Sequence, residues 1–242
     1  QGLNGIQLGM PAISKNAAYI DQIGEGNSAS VTQTARVAYA KVDQDGSGNS
    51  VILSQNGTGK AYADVRQKGS DNFAAVQQSG SGQNVAYLNQ NGSSNWAWAN
   101  QNAAGAVHNG ARMTQTGNNN DMALTQSGSD NLALLTQEGD GNGMSATQVG
   151  DGNRLAWTQQ GNGLTDLQVV QTGGMEKGGQ LAITQTGGTG GNGSGDIFIA
   201  FSRANAGAGR GRGATAVQVL PNESMNLLFD ATVEATEEAI IN

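Results

Sequence analysis

One spacing governs this chain. Gln126, Gln137 and Gln148 fall eleven residues apart. Each is followed two residues later by Gly128, Gly139 or Gly150, and each glycine three residues later by Asn131, Asn142 or Asn153. A fixed internal period of this length implies small units that stack, because a unit so short buries its apolar face only against its neighbours.

The unit reads Q-x-G-x-x-N-x-A-x-x-x-Q. "QIGEGNSASVTQ", "QKGSDNFAAVQQ", "QNGSSNWAWANQ" and "QSGSDNLALLTQ" match every position, and "QDGSGNSVILSQ" changes only the Ala, to Val51. The glutamine positions are Gln22, Gln33, Gln44, Gln55, Gln67, Gln78, Gln90, Gln101, Gln115, Gln126, Gln137, Gln148, Gln159, Gln171 and Gln185. The asparagine positions are Asn27, Asn49, Asn72, Asn84, Asn95, Asn109, Asn120, Asn131, Asn142 and Asn153. The turn glycines are Gly24, Gly46, Gly69, Gly80, Gly92, Gly117, Gly128, Gly139, Gly150 and Gly161. Longer intervals, such as "NAAGAVHNG", hold extra small residues between units, where loops tolerate insertion.

Inside a unit the period is two. Asn27, Ala29, Val31 and Gln33 share one phase, as do Asn72, Ala74, Val76 and Gln78. Alternate residues of a strand share a face, so Asn, small apolar, apolar, Gln forms the inner face of a short strand. Stacked coils lie about 4.8 Å apart, and a primary amide both donates and accepts. Identical amides in register therefore bond along the stack, and a one-residue slip turns them outward. Polar surface alone would not demand one residue type at one phase over so many coils.

The expected fold is all-β: a two-sheet β-solenoid of about eight to nine strand-turn-strand coils, cross-β in its strand direction. The expected divisions are an N-terminal segment with a partial motif (1–15), the repeat solenoid (16–202), a degenerate ninth coil (203–229) and an acidic tail (230–242). In the eighth coil, 179–185 pairs with 196–202. "QGLNGIQLGM" keeps Gln7 and Gly9 of the motif and reads as an uncapped edge.

The chain has 242 residues, 38 Gly, 2 Pro and a net charge of −7, which excludes nucleic acid as a main partner. It has no Cys, so disulfide and thiolate chemistry are out, and nothing would lock it before it crossed a membrane. No apolar run approaches the roughly 20 residues of a transmembrane helix, and no signal peptide is visible, so a secreted product would be read here as its mature chain.

The motif resembles the curlin repeat, S-x5-Q-x-G-x2-N-x-A-x3-Q, of curli fibre subunits, over roughly residues 16–202. The opening Ser is replaced by Asn16, Asn84, Asn131 and Asn153, or by Ala38 and Ala61, and the turn "TARVAYA" after Gln33 lacks the Gly. The resemblance implies a structural subunit of an extracellular functional amyloid fibre at the bacterial cell surface, serving biofilm matrix and cell adhesion. It implies head-to-tail self-assembly, a surface nucleator and an outer-membrane secretion pore.

No catalytic constellation competes with that reading. His108 is the single His, with neither Cys nor clustered acids to make a metal site and no spaced Ser or Asp to make a triad. "GGTGGNGSGD" has the look of a calcium nonapeptide, but such repeats work as arrays and this one stands alone. The expectation is a protein that is no enzyme and takes no cofactor. The alternative is a monomeric solenoid that binds a regular surface such as ice or polysaccharide. Outward Tyr39, Tyr62, Phe73, Trp96 and Trp98 either bind sugars or stack between coils.

Overall fold

The computed structural model describes residues 8–105, 108–165, 167–173 and 179–186. Among these every regular element is a strand. One sheet, sheet A, holds β1 (Ala17–Ile23), β3 (Val37–Ser47), β5 (Lys60–Ser70), β7 (Asn84–Ser93), β9 (Asn109–Thr116), β11 (Leu132–Glu138), β13 (Arg154–Gln160) and β15 (Gln180–Thr186), in that order. Sheet B holds β2 (Ser28–Gln33), β4 (Ser50–Gln55), β6 (Phe73–Gly80), β8 (Trp96–Ala103), β10 (Asp121–Gly128), β12 (Gly143–Val149) and β14 (Leu167–Thr172). Each strand pairs in parallel with the strand two along the chain, so the backbone winds between the sheets as a β-solenoid of about seven turns. β15 opens a further coil. Segment 196–202, the ninth coil and the acidic tail lie outside the described residues.

Parallel strands buried on one face need long apolar or amide runs in strict register. Here Gln22 pairs with Gln44, Gln44 with Gln67, and Gln67 with Gln90, without a slip. The core between the sheets is thin. Ala40, Ala63, Ala86, Ala111 and Ala133 are 0–2% exposed and face Val51, Ala74, Ala97, Met122 and Met144 in one cluster. It widens at β13, where Leu155 and Trp157 are fully buried beside Ala146 and Ile183.

Corners depend on glycine where the backbones touch. At Gly46 φ is 131°, and a Cβ would lie 1.9 Å from the carbonyl oxygen of Gly69 in the next coil. The glycine-free turn after Gln33 closes otherwise: the amides of Thr34 and Ala35 donate to Gln55 O, both at 2.9 Å, and Ala35 packs on Ala38 and Ala61.

The N-terminal segment departs from expectation. Residues 8–14 do not begin a coil or form an open edge. They fold back across the outer face of sheet A, where Leu8 packs with Tyr62, Val85 and Leu132, and Met10 and Ile13 lie against the same cluster. An apolar stretch with no coil beneath it gains more by covering an apolar outer face than by staying in water.

Candidate functional site

The amide positions form two continuous columns, buried from Gln44 and Gln55 up to Gln185 and Gln171, whereas in the first coil Gln22 is exposed and Gln33 half-buried. In sheet A, Gln22 Nε2 donates to Gln44 Oε1 at 2.6 Å, and the pattern repeats through Gln67, Gln90, Gln115, Gln137 and Gln159 to Gln185. In sheet B the column runs from Gln33 through Gln55, Gln78, Gln101, Gln126 and Gln148 to Gln171. The second Nε2 hydrogen ties the sheets together: Gln55 donates to Tyr39 O and Gln126 to Gly110 O.

Asparagines at the turns bond with the opposite polarity. Asn49, Asn72, Asn95 and Asn120 each donate to the Oδ1 of the asparagine one coil earlier, beginning at Asn27, and Asn142 does so through its backbone amide. On the other edge Asn109, Asn131 and Asn153 are linked in the same way. Asn84 and Asn109 are not joined. The insertion before His108 turns the Asn109 amide to Gln83 O, and Asn84 Oδ1 is left buried without a partner. The turn glycines Gly24, Gly46, Gly69, Gly80, Gly92, Gly117, Gly128, Gly139, Gly150 and Gly161 all have positive φ.

Sheet A's outer face carries the densest charge. Arg66 grips Asp64 with Nε and Nη2 at 3.1 and 3.0 Å, and Lys41 Nζ lies 2.5 Å from Asp43 Oδ2. The hydrogen bond to Asp64 raises the Arg66 pKa, and the bond to Asp43 raises that of Lys41. A shallow groove beside them is lined by Tyr87, Asn89 and Arg112. Among the described residues no His, Cys, Asp and Glu converge in a set that could hold a metal ion. His108 Nε2 sits 2.6 Å from Leu8 O, so the single histidine fastens the backbone of the folded-back segment.

Sheet B's outer face carries aromatics in register. Phe73 and Trp96 stack at 6.1 Å between ring centroids, and on sheet A Tyr39 and Tyr62 stack at 5.4 Å. These rings pack on one another between adjacent coils.

Comparison with known proteins separates the two ends of the chain. Residues 14–34, the first coil, match the Curlin associated repeat, and residues 164–242 match Peptidase family S58. The chain is 44% identical over 69 residues to the beta-peptidyl aminopeptidase BapA of Sphingosinicella microcystinivorans, an overlap of 28% of this chain and 17% of that protein. The chain thus spans less than a fifth of the length of this relative. No solved structure matches.

These matches correct the functional expectation. The reading as a non-enzymatic subunit of a curli-like amyloid fibre is overturned, and biofilm matrix and adhesion go with it. So do the partners it implied: copies of itself stacked head to tail, a surface nucleator and a secretion pore. The alternative of a solenoid binding ice or polysaccharide falls on the same finding. All rested on the repeat, and a repeat specifies a fold rather than an activity. The peptidase match begins at Leu164, within the solenoid, and takes in β14 and β15.

Proposed function

We propose that this chain is part of a peptidase that releases N-terminal residues from short β-peptides, with the peptidase-related portion in residues 164–242 and the solenoid as a rigid framework before it. The observation that carries the reading is the match of residues 164–242 to Peptidase family S58. The beta-peptidyl aminopeptidase similarity supplies the substrate class. The reaction would be hydrolysis: water adds across the first amide, leaving a free β-amino acid and a peptide shorter by one residue. No side chain among the described residues is assigned a role in it.

The same frame from Gln22 to Gln185 supports reading residues 16–202 as curlin-type repeats beyond the matched first coil. Export to the bacterial cell surface is part of the proposal, supported by the absence of Cys.

The test is an assay of the purified protein at its natural length with a β-peptide amide bearing a free amino terminus, beside its N-acetylated counterpart. Release of the first β-amino acid from the free peptide alone supports the reading. No release, or equal cleavage of both, refutes it.

A further inference from the structure

The outer face of sheet A carries two guanidinium groups in opposite circumstances. Arg66 is engaged. It holds Asp64 through Nε at 3.1 Å and Nη2 at 3.0 Å, and its Nε lies 3.8 Å from Asp43, which Lys41 also grips. Arg112 stands further along the same face, on β9, and forms no ion pair with another described residue. Its register partners are Tyr87 in the coil before and Leu134 in the coil after, and neither carries charge. A guanidinium does not lose its proton in a protein, so Arg112 is a standing cation without a counter-charge beside it.

That cation is held in position. Its guanidinium carbon lies 5.9 Å from the centroid of the Tyr87 ring, over the ring face. The Tyr87 ring in turn packs on Tyr62 at 5.5 Å between centroids, and its Oη donates to Gly9 O at 3.3 Å. The folded-back segment makes the last contact possible. Gly110 leaves a gap in the outward column Val85, Gly110, Leu132, and a Cβ there would lie 3.5 Å from both Cβ and Cδ1 of Leu8. Leu8 therefore fills the gap and sets Gly9 beside Tyr87. A guanidinium over a ring face still has its in-plane N–H groups free for an acceptor.

The groove beside Arg112 completes a set of donors. Its volume is ≈ 230 Å³, and Asp64, Arg66, Tyr87, Asn89, Arg112 and Thr114 line it. Asn89 and Thr114 are register partners on β7 and β9, and neither belongs to the buried amide columns. An amide and a hydroxyl each offer an N–H or O–H. Asp64 and Arg66 cancel one another, so the groove keeps the single positive charge of Arg112. One uncancelled charge suits a monoanion. A doubly charged phosphate would face the Asp64 carboxylate with too little positive charge to offset it. A planar carboxylate also matches the fork of the guanidinium.

We propose that this groove is a binding site for a small carboxylate group, with Arg112 as its bidentate anchor and Asn89 and Thr114 as flanking donors. The carboxylate comes from a free acid or from the C-terminus of a short peptide, since both present the same planar monoanion. The site uses only described residues of the solenoid and does not depend on the proposed hydrolysis.

The test uses the protein at its natural length. Phenylglyoxal modifies accessible arginines, and Arg112 and Arg36 are both exposed. Peptide mass spectrometry reads the rate at each of them. The ligands are acetate, an N-acetylated β-peptide acid, the same peptide as its C-terminal amide, and inorganic phosphate, all at equal ionic strength. The acylated peptide lacks the free amino terminus that the proposed hydrolysis requires, so its ends stay intact. Acetate or the peptide acid should slow modification of Arg112 in a saturable way and leave Arg36 unchanged, while the amide gives no protection. Protection by acetate at the same concentration as the peptide acid assigns the site to free acids, and protection by the peptide acid at lower concentration assigns it to peptide C-termini. Absence of protection, equal protection of Arg36, or protection by the amide overturns the site. Phosphate protecting better than acetate overturns the choice of carboxylate.

Calorimetric titration with the better of the two carboxylates supplies a second arm. Arg112→Gln should weaken binding about tenfold or more, the loss expected for a charge-assisted pair. Arg112→Lys should recover only part of it, because it restores the charge without the fork. Unchanged affinity in Arg112→Gln, with an unchanged melting temperature, removes Arg112 as the anchor. Should either variant fail to fold, the protection of Arg112 in the unsubstituted protein decides alone.

Discussion

Gln126 Nε2 lies 2.8 Å from Gln148 Oε1, and both side chains are fully buried. The bond is one rung of a column in which each amide accepts from the coil before and donates to the coil after. Gln126 also donates to Gly110 O at 3.0 Å, tying sheet B to sheet A.

Gln126→Glu keeps the shape and the acceptor but removes both donors. Gln148 Oε1 and Gly110 O lose partners, at about 1–3 kcal/mol for a buried group left unsatisfied, and a carboxylate without a cation is buried. Its pKa rises in the folded state, because burial disfavours the charged form. The sign follows: the variant comes closest to the parent below the unfolded carboxylate pKa and is most destabilised as pH rises through the raised folded value. Chemical denaturation should show a loss of roughly 3 kcal/mol or more at pH 7, narrowing at pH 4. A uniform deficit across pH would contradict it.

Gly46→Ala meets both a steric and a conformational barrier. Its Cβ would stand 1.9 Å from Gly69 O, at a φ of 131° that L residues avoid. A loss above about 2 kcal/mol is expected. Gly26→Asn is the control: φ is 68°, the nearest atom is 3.7 Å away, and asparagine tolerates that conformation. Its melting temperature should fall by a few degrees at most.

The coil frame was legible because buried amides tolerate one phase only. Gln44 and Gln67 must align or both lose their partners, so the sequence keeps them aligned. The break between Asn84 and Asn109 was less visible: both residues fit the motif, and only the intervening insertion separates them. The return of residues 8–14 across sheet A was not legible at all. It depends on a side chain that Gly110 lacks and on a contact between residues about a hundred positions apart. Nor did the solenoid announce a peptidase, because Leu167, Val169 and Gln171 serve the stack whatever else residues 164–242 do.

Tyr62 gives the solenoid an alkaline limit. Burial, reinforced by the charge of Asp64, pushes its pKa up to about 12. A raised folded pKa means that the stabilising contribution is complete below the ordinary tyrosine value near 10. It is lost as pH rises through the folded value. Between about pH 10 and 12 the parent should therefore lose stability faster than Tyr62→Phe, read as denaturation midpoints across that range. Parallel curves would show that Tyr62 is not the group responsible.

Among the described residues Trp157 is the bulkiest fully buried side chain, and its indole N–H has no hydrogen-bond partner. Two opposed terms follow. Its ring fills the widened core beside Ala146 and Val169, so Trp157→Ala opens a cavity and should cost about 3–5 kcal/mol. The N–H is buried unsatisfied, a penalty of about 1–3 kcal/mol already present in the native protein. Trp157→Phe removes that penalty while giving up part of the ring's burial and packing. The two effects are of similar size, so Trp157→Phe should change stability by less than about 1.5 kcal/mol. Denaturant titration of the pair decides between the terms. If Phe proves as damaging as Ala, the indole is hydrogen-bonded in solution, through a trapped water at that coil, and the cavity account is incomplete.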